Sequence, residues 1–133
     1  MLARLLKEGK PIRFFAQGRS MWPWIRAGDL VRIVPIKAPL RRGDVVLIER
    51  PSGDLLLHRL IERQEDRLRL QGDHRAQDDG WFDRHQAIGK LVAIERRGRA
   101  IRISRFRALI LSRFLRRADG FIQRLHRRIT VRR

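Results

Sequence analysis

The fold is decided by the stretch DVVLIERPSGDLLLHRLI, residues 44–61. It consists of two apolar runs of strand length, 44–49 and 54–61, on either side of a Pro-Ser-Gly triplet whose residue types turn easily. Neither run extends into the long helical periodicity that marks an amphipathic helix. The stretch therefore predicts two β-strands joined by a turn.

Short β-type runs continue on both sides, from Ile12 to about Ile103, and Gly-Asp and Pro residues separate them. In several runs apolar and charged residues alternate, as a sheet with one face in water requires. The predicted strands are Leu30–Ile36, Asp44–Glu49, Asp54–Ile61, Arg67–Gln71, Ala87–Glu95 and Ala100–Ile103. One or two helical turns are expected over Leu2–Glu8. Residues 1–103 are thus predicted to form one mainly β domain.

A different periodicity begins after Ser104, the expected N-cap of a helix. Apolar residues now recur at steps of three and four along one helical face. The segment 104–133 contains ten Arg and one Asp, a net charge of +9 and half of the formal +18 of the whole chain. We therefore predict a basic amphipathic helical tail over residues 104–133.

Composition limits the chemistry open to this protein. With 133 residues, of which 43% are hydrophobic and 35% charged, the chain suits one domain and a tail. Cysteine is absent, which excludes disulfides, a thiol nucleophile and cysteine-based metal sites. The acids between residues 73 and 79 lack the regular spacing of a Ca²⁺ loop, so neither a metal nor a cofactor is predicted.

The charge and the apolar runs also bear on location. No apolar run approaches the roughly 20 residues of a membrane-spanning helix, and Arg4 and Lys7 interrupt the apolar residues that a secretory signal would need. We expect a chain that begins near Met1 and stays in the cytoplasm. The tail predicts either peripheral contact with the anionic inner face of a membrane or packing of its apolar face on the β domain.

Two segments hold candidate catalytic side chains. In GRSMWPWI, residues 18–25, a serine between glycine and proline lies in a loop that can expose the hydroxyl and direct backbone N–H groups at a substrate carbonyl. Ser20 is therefore a candidate nucleophile, although serine in such a loop is often only a turn residue. His58 alternates with Leu56 and Leu60 on the expected buried face of its strand, as either a general base or a core histidine.

A third segment, residues 71–81, supplies carboxylates after a strand. A histidine base needs a partner that fixes its tautomer and stabilises the imidazolium, and a carboxylate does both. Asp73, Asp78 and Asp79 are the candidates, and an Asp-rich turn without catalytic function is the alternative.

In this order the segments resemble the type I signal peptidase superfamily of S24/S26-like serine peptidases. The likeness is to its Ser-His branch, found in archaea, spore-forming bacteria and the eukaryotic secretory membrane, and it runs from about Gly18 to Ile94. The similar segments are Ser20-Met21-Trp22-Pro23, residues 40–46, His58-Arg59 (where the better-known bacterial branch has lysine), residues 72–79 and the closing strand 88–92.

The resemblance implies a signal-peptidase/LexA-like coiled β-sheet half-barrel and a role for each matched residue. Ser20 would be the nucleophile and His58 the base. Asp79 would support His58, with Asp78 as the alternative and with Asp73 ordering the loop or sharing the role. The residues implied to shape the loop and the substrate cleft are Met21, Trp22, Pro23 and Trp24.

Three departures from the family pattern stand out. Gly18 occupies the position where members often have a serine that donates to the oxyanion, and Trp24 replaces the usual threonine. No apolar run in these residues is expected to serve as the transmembrane anchor of precursor-processing members. Self-cleaving repressors of the superfamily use lysine as base, but neither Lys37 nor Lys90 has the strand position of His58.

Two functions follow from these patterns. One is a serine endopeptidase that hydrolyses a peptide or protein precursor with small side chains near the cut. The alternative is a non-catalytic basic β module that binds a protein partner or nucleic acid through arginine–phosphate contacts. Nucleic acid is the less favoured partner, because the three tryptophans fall beside the proposed site and form no exposed stacking series.

Overall fold

The computed structural model describes residues 1–103, and the predicted basic tail lies outside this part of the chain. The mainly β prediction is confirmed. The helices and strands are α1 (Leu2–Lys7), β1 (Ile12–Phe15), β2 (Leu30–Val34), β3 (Val45–Glu49), β4 (Leu55–Gln64), β5 (Arg67–Gln71), β6 (Trp81–Asp83), a 3₁₀ turn (Arg84–Gln86), β7 (Ala87–Arg96) and β8 (Arg99–Ile101). The described part of the chain holds no helix with the length and apolar character that a membrane crossing requires.

All strand pairs in the described residues are antiparallel, and the strands follow the order β1-β2-β7-β3-β4-β5-β6. The long strand β7 pairs with β2, with β3 near its beginning and with β8 near its end. Register shifts interrupt the pairs of β7 with β2 and with β3. Such bulges bend and twist the sheet, which allows it to enclose two cores.

Both faces of β3 are buried, which explains why its sequence is a continuous apolar run. Val45 and Leu47 belong to one core, and Val46 and Ile48 belong to the other. The first core also contains Leu6, Ile12, Met21, Ile25, Val31, Ile33, Leu91 and Ile94. The second also contains Leu40, Leu60, Leu68, Leu70 and Ala87. The stretch 44–61 therefore lies at the junction of the two cores.

The structure corrects several strand limits. β2 ends at Val34 because Pro35 has no N–H for the ladder. β4 continues to Gln64, three residues beyond the predicted end, and β8 covers Arg99–Ile101. The short strands β1 and β6 were not predicted individually. Each has only three or four residues and lies at an edge of the sheet, so neither carries a long alternating pattern.

The turns before β2 and β3 are built alike from their Gly-Asp pairs. Asp29 accepts a hydrogen bond from the backbone N–H of Arg26 at 2.8 Å, and Asp44 accepts one from Arg41 at 2.8 Å. Asp29 also binds the Arg96 guanidinium through two 2.9 Å hydrogen bonds. Burial alone would raise the pKa of Asp29, but these hydrogen bonds and the positive charges hold the pKa of this carboxyl below its ordinary value of 3.8.

The lowered pKa of Asp29 makes its stabilising contribution depend on acid pH. Because the unfolded chain binds this proton more readily, the contribution is present above about pH 3.8 and is lost as the pH falls through the folded-state pKa. We expect Asp29→Asn to reduce the free energy of unfolding at about pH 6, by an amount that shrinks towards about pH 3. Urea denaturation across this range, with Asp54→Asn as the control, measures the difference. A difference that does not change with pH contradicts the prediction.

Candidate active site

The loop between β1 and β2 holds Ser20 at the edge of a cavity. Next in sequence, Met21 is buried in the first core, as is Ile25. The backbone N–H groups of Trp24 and Ile25 both donate to the Met21 carbonyl at 3.0 Å, which closes a tight turn. Because the turn is anchored in the core, half-buried Ser20 has a fixed position at the surface of the domain.

His58 lines the same cavity as Ser20. It lies on β4 and is only 4% exposed. The cavity has a volume of about 440 Å³. Its lining is largely apolar and includes Phe14, Ala16, Met21, Ile25, Leu47 and Leu57. The structure thus brings the predicted serine and the predicted histidine to one largely apolar cavity, although they are 38 positions apart in sequence.

Asp79 is the carboxylate that contacts His58. The distance from His58 Nδ1 to Asp79 Oδ2 is 2.5 Å. The Asp79 backbone N–H donates to the Leu70 carbonyl at 2.8 Å, which fixes the loop against the end of β5. When Nδ1–H donates to the carboxylate, the lone pair of a neutral imidazole is on Nε2. The histidine is therefore oriented with Nε2 available for another partner.

Gly72 lies between His58 and Ser20. A Cβ atom built on Gly72 would be 2.6 Å from the Ser20 carbonyl oxygen and 3.1 Å from His58 Nε2. The His74 backbone N–H donates to the same Ser20 carbonyl at 2.9 Å. The two predicted catalytic residues therefore approach each other across a position that has room for glycine alone.

A comparison with known families gives a match that covers most of the described residues. The model of the Peptidase S24-like family matches residues 4–92, which include Ser20, His58 and Asp79. The chain belongs to the S24-like peptidase family. No curated protein matches it. The family also includes LexA-like proteins, so membership alone supports a peptidase kind of function without specifying the reaction.

Asp73 of this S24-like domain binds Arg59, not His58. The Arg59 Nε and Nη2 atoms donate to the two carboxylate oxygens at 2.7 Å each, and Nη1 donates to the Gly43 carbonyl at 2.7 Å. The side chains of Arg59 and Asp73 are 2% and 0% exposed. The Asp73 backbone N–H also points at Met21 Sδ, 3.4 Å away. These contacts join the loop of Asp73 to the loop of Ser20.

Asp78 and Lys90 have partners other than His58. Asp78 accepts a hydrogen bond from the Gly80 N–H at 2.8 Å and lies 3.5 Å from an Arg69 guanidinium nitrogen. Lys90 lies 3.5 Å from Asp44. Within the described part of the S24-like domain, neither Lys37 nor Lys90 lines the cavity of Ser20.

Of the four residues predicted to shape the substrate cleft, one lines this cavity in the described part of the chain. Met21 lines the cavity, whereas Pro23 and Trp24 do not. The turn at Met21 carries Trp24 towards β7, where its carbonyl accepts a hydrogen bond from Arg96 at 3.3 Å. Trp22 is 43% exposed and packs edge-on against the His74 ring, with the ring centroids 5.5 Å apart. Trp22 therefore lies beside Ser20 but outside the cavity lining.

Sequence reasoning missed two contributions to the site. Phe14 and Phe15 line the cavity, but their strand β1 was not predicted individually. The structural role of Arg59 was also missed, although the residue stood next to His58 in a matched segment. An arginine inside an otherwise apolar strand was the available signal, since a buried charge requires a partner.

We expect different consequences when the two loop acids are removed. Asp73→Ala leaves the buried Arg59 charge without its partner and is expected to lower the free energy of unfolding by about 3–5 kcal/mol. Asp79→Ala removes a more exposed carboxylate and is expected to cost about 1 kcal/mol. Urea denaturation measures both values, with exposed Asp78→Ala as the control. Equal losses for the three variants would contradict this division of roles.

Gly72→Ala tests the close approach of the Ser20 loop. The added methyl group must displace the Ser20 carbonyl, and overpacking of this kind costs about 1–3 kcal/mol. The displacement also weakens the hydrogen bond from the His74 N–H, so we expect faster hydrogen exchange at this amide. Unchanged exchange at His74 together with unchanged stability would show that the loop is not held in this way.

Proposed function

We propose that the protein is a serine endopeptidase in which Ser20 is the nucleophile, His58 the general base and Asp79 the acid that orients the base. The contact between His58 Nδ1 and Asp79 at 2.5 Å is the observation that carries this proposal. It leaves Nε2 as the basic nitrogen, and Nε2 is the atom that lies beside Gly72 and the Ser20 backbone. In a triad of this kind the imidazole takes the proton of the hydroxyl, and the carboxylate orients the imidazole and stabilises the imidazolium.

The reaction would proceed through an acyl-enzyme. His58 Nε2 accepts the proton of the Ser20 hydroxyl as Ser20 Oγ attacks the carbonyl carbon of the scissile peptide bond. The tetrahedral intermediate then collapses, the C–N bond breaks, and the leaving amine takes the proton from Nε2. Water, deprotonated by the same nitrogen, hydrolyses the ester and restores Ser20. Asp79 stabilises the imidazolium during both steps.

The Ser20 backbone N–H is the proposed donor to the oxyanion. Within residues 1–103 it donates to no protein acceptor, so it is available to a substrate. Gly18 supplies no side-chain donor at the position where family members often have serine. Loss of one oxyanion donor lowers the rate of comparable enzymes by about 10²-fold or more. A slow peptidase is therefore expected.

The strand pairing around the cavity favours an extended peptide as substrate. β1 pairs only with β2 in the described residues, and Leu55–His58 of β4 pair only with β3. Both segments border the cavity and leave one backbone edge without a strand partner. Such edges bind extended peptides through main-chain hydrogen bonds. The apolar lining then favours uncharged, apolar side chains on the acyl side of the cut.

Covalent labelling tests the proposed nucleophile directly. A fluorophosphonate probe is expected to label the wild-type chain at Ser20, and peptide mapping by mass spectrometry identifies the site. Ser20→Ala is expected to abolish labelling. His58→Ala and Asp79→Asn are expected to slow it strongly, by about 10⁴-fold for the latter on the precedent of other serine peptidases. Ser52→Ala and His85→Ala are matched controls outside the site and are expected to label normally.

Cleavage of an apolar peptide library by the wild-type chain provides the second readout. Its loss in Ser20→Ala, with an unchanged unfolding midpoint, supports the peptidase. A folded wild-type chain that neither labels at Ser20 nor cleaves any peptide would refute the proposal. Salt-sensitive retention on DNA in that case would favour the alternative basic binding module.

A further inference from the structure

A second cavity lies at the end of the Ser20 loop that leads into β2. It has a volume of about 820 Å³ and is lined by residues 26–29, by the turn between β7 and β8, and by Ile101. Four of the lining residues are arginines, namely Arg26, Arg96, Arg97 and Arg99. Asp29 is the single acidic residue in the lining. The peptidase proposal uses none of these side chains.

The charge of Asp29 is already matched within the protein. Its two oxygens accept hydrogen bonds from Arg96 Nε and Nη2 at 2.9 Å each, and the Arg26 backbone N–H donates to it as well. Arg96 and Asp29 therefore neutralise each other. The guanidinium groups of Arg26, Arg97 and Arg99 form no ion pair within residues 1–103. Three positive charges thus converge on one concave surface.

The turn that carries two of these charges has a defined conformation. Arg96 and Arg99 are paired in register, and the two residues between them, Arg97 and Gly98, have φ angles of 51° and 75°. A two-residue hairpin turn with positive φ at both positions normally takes asparagine, aspartate or glycine at the first. Arginine is an unfavourable choice there, yet it adds a charge at the edge of the cavity. This hairpin turn places Arg97 and Arg99 in the same cavity lining as Arg26.

We propose that this cavity binds a ligand that carries two or more phosphate groups. Arginine donates paired N–H groups that match phosphate oxygens, and it keeps its charge at any physiological pH. Guanidinium groups on both walls can engage more than one phosphate at a time, and the volume accommodates several. Ala27 and Ile101 are the lining residues with apolar side chains, and four of the eight lining residues are arginines.

Calorimetric titration with inorganic pyrophosphate at constant ionic strength tests the site in the full-length chain. The double variant Arg97→Gln/Arg99→Gln is expected to bind at least about tenfold more weakly than wild type, since each lost charge-assisted hydrogen bond is substantial. The matched control is Arg13→Gln/Arg32→Gln. These two exposed arginines face each other across β1 and β2, so the control removes the same charge elsewhere. Unfolding midpoints check that both variants are folded.

Two further arms define the source and the class of the ligand. Sedimentation with phosphatidylcholine vesicles that contain a phosphatidylinositol bisphosphate tests a lipid that carries several phosphates, with the same two double variants. If Arg97→Gln/Arg99→Gln alone loses pyrophosphate binding, the ligand is a soluble phosphate compound. If this variant loses binding only to the vesicles, the ligand is a lipid headgroup. Equal losses in both variants, absence of binding in both arms, or preferential binding of a hexaglutamate peptide would overturn the proposal. These outcomes do not depend on whether Ser20 is catalytic.

Discussion

The buried ion pair between Arg59 and Asp73 is the interaction on which the site depends. Through Gly43 it reaches the turn before β3, and through Met21 it reaches the loop of Ser20. A buried pair of this kind adds little net stability compared with apolar packing, but it is costly to break. Its effect here is to fix the loop of Asp73 against the loop of Ser20 and the turn before β3. The neighbours of Arg59 and Asp73 in sequence are His58 and Gly72, the two residues that meet beside Ser20.

The location of His58 follows from the way β4 changes partner. His58 pairs with Val46 of β3, whereas the next residue, Arg59, pairs with both β3 and β5. His58 is thus the last residue of β4 before the pairing with β5 begins. On its N-terminal side the strand has an edge open to the cavity, and on its C-terminal side it is enclosed by the sheet. His58, the proposed base, therefore lies where the paired part of the strand meets its open edge.

Much of the fold was predictable, because the long strands carry strong patterns. Arg67–Gln71 was predicted with its observed limits, and the unbroken apolar run of β3 reflects burial on both faces. The pairing of the loop acids was not predictable. Asp73, Asp78 and Asp79 are close in sequence and chemically identical, and their partners are distant residues. Only the fold distinguishes their roles, because Asp73 pairs with Arg59 and Asp78 pairs with Arg69.

The two proposed sites share the loop between β1 and β2. Ser20 lies near the beginning of this loop. Asp29 is its last residue and accepts two hydrogen bonds from Arg96. Arg96 also donates to the Trp24 carbonyl, so the turn that positions Ser20 is tied to the basic hairpin at a second point. A phosphate ligand that drew Arg96 towards itself would compete with both contacts. Because Met21 and Ile25 anchor the same turn in the core, we expect Ser20 to keep its position when these two contacts are lost.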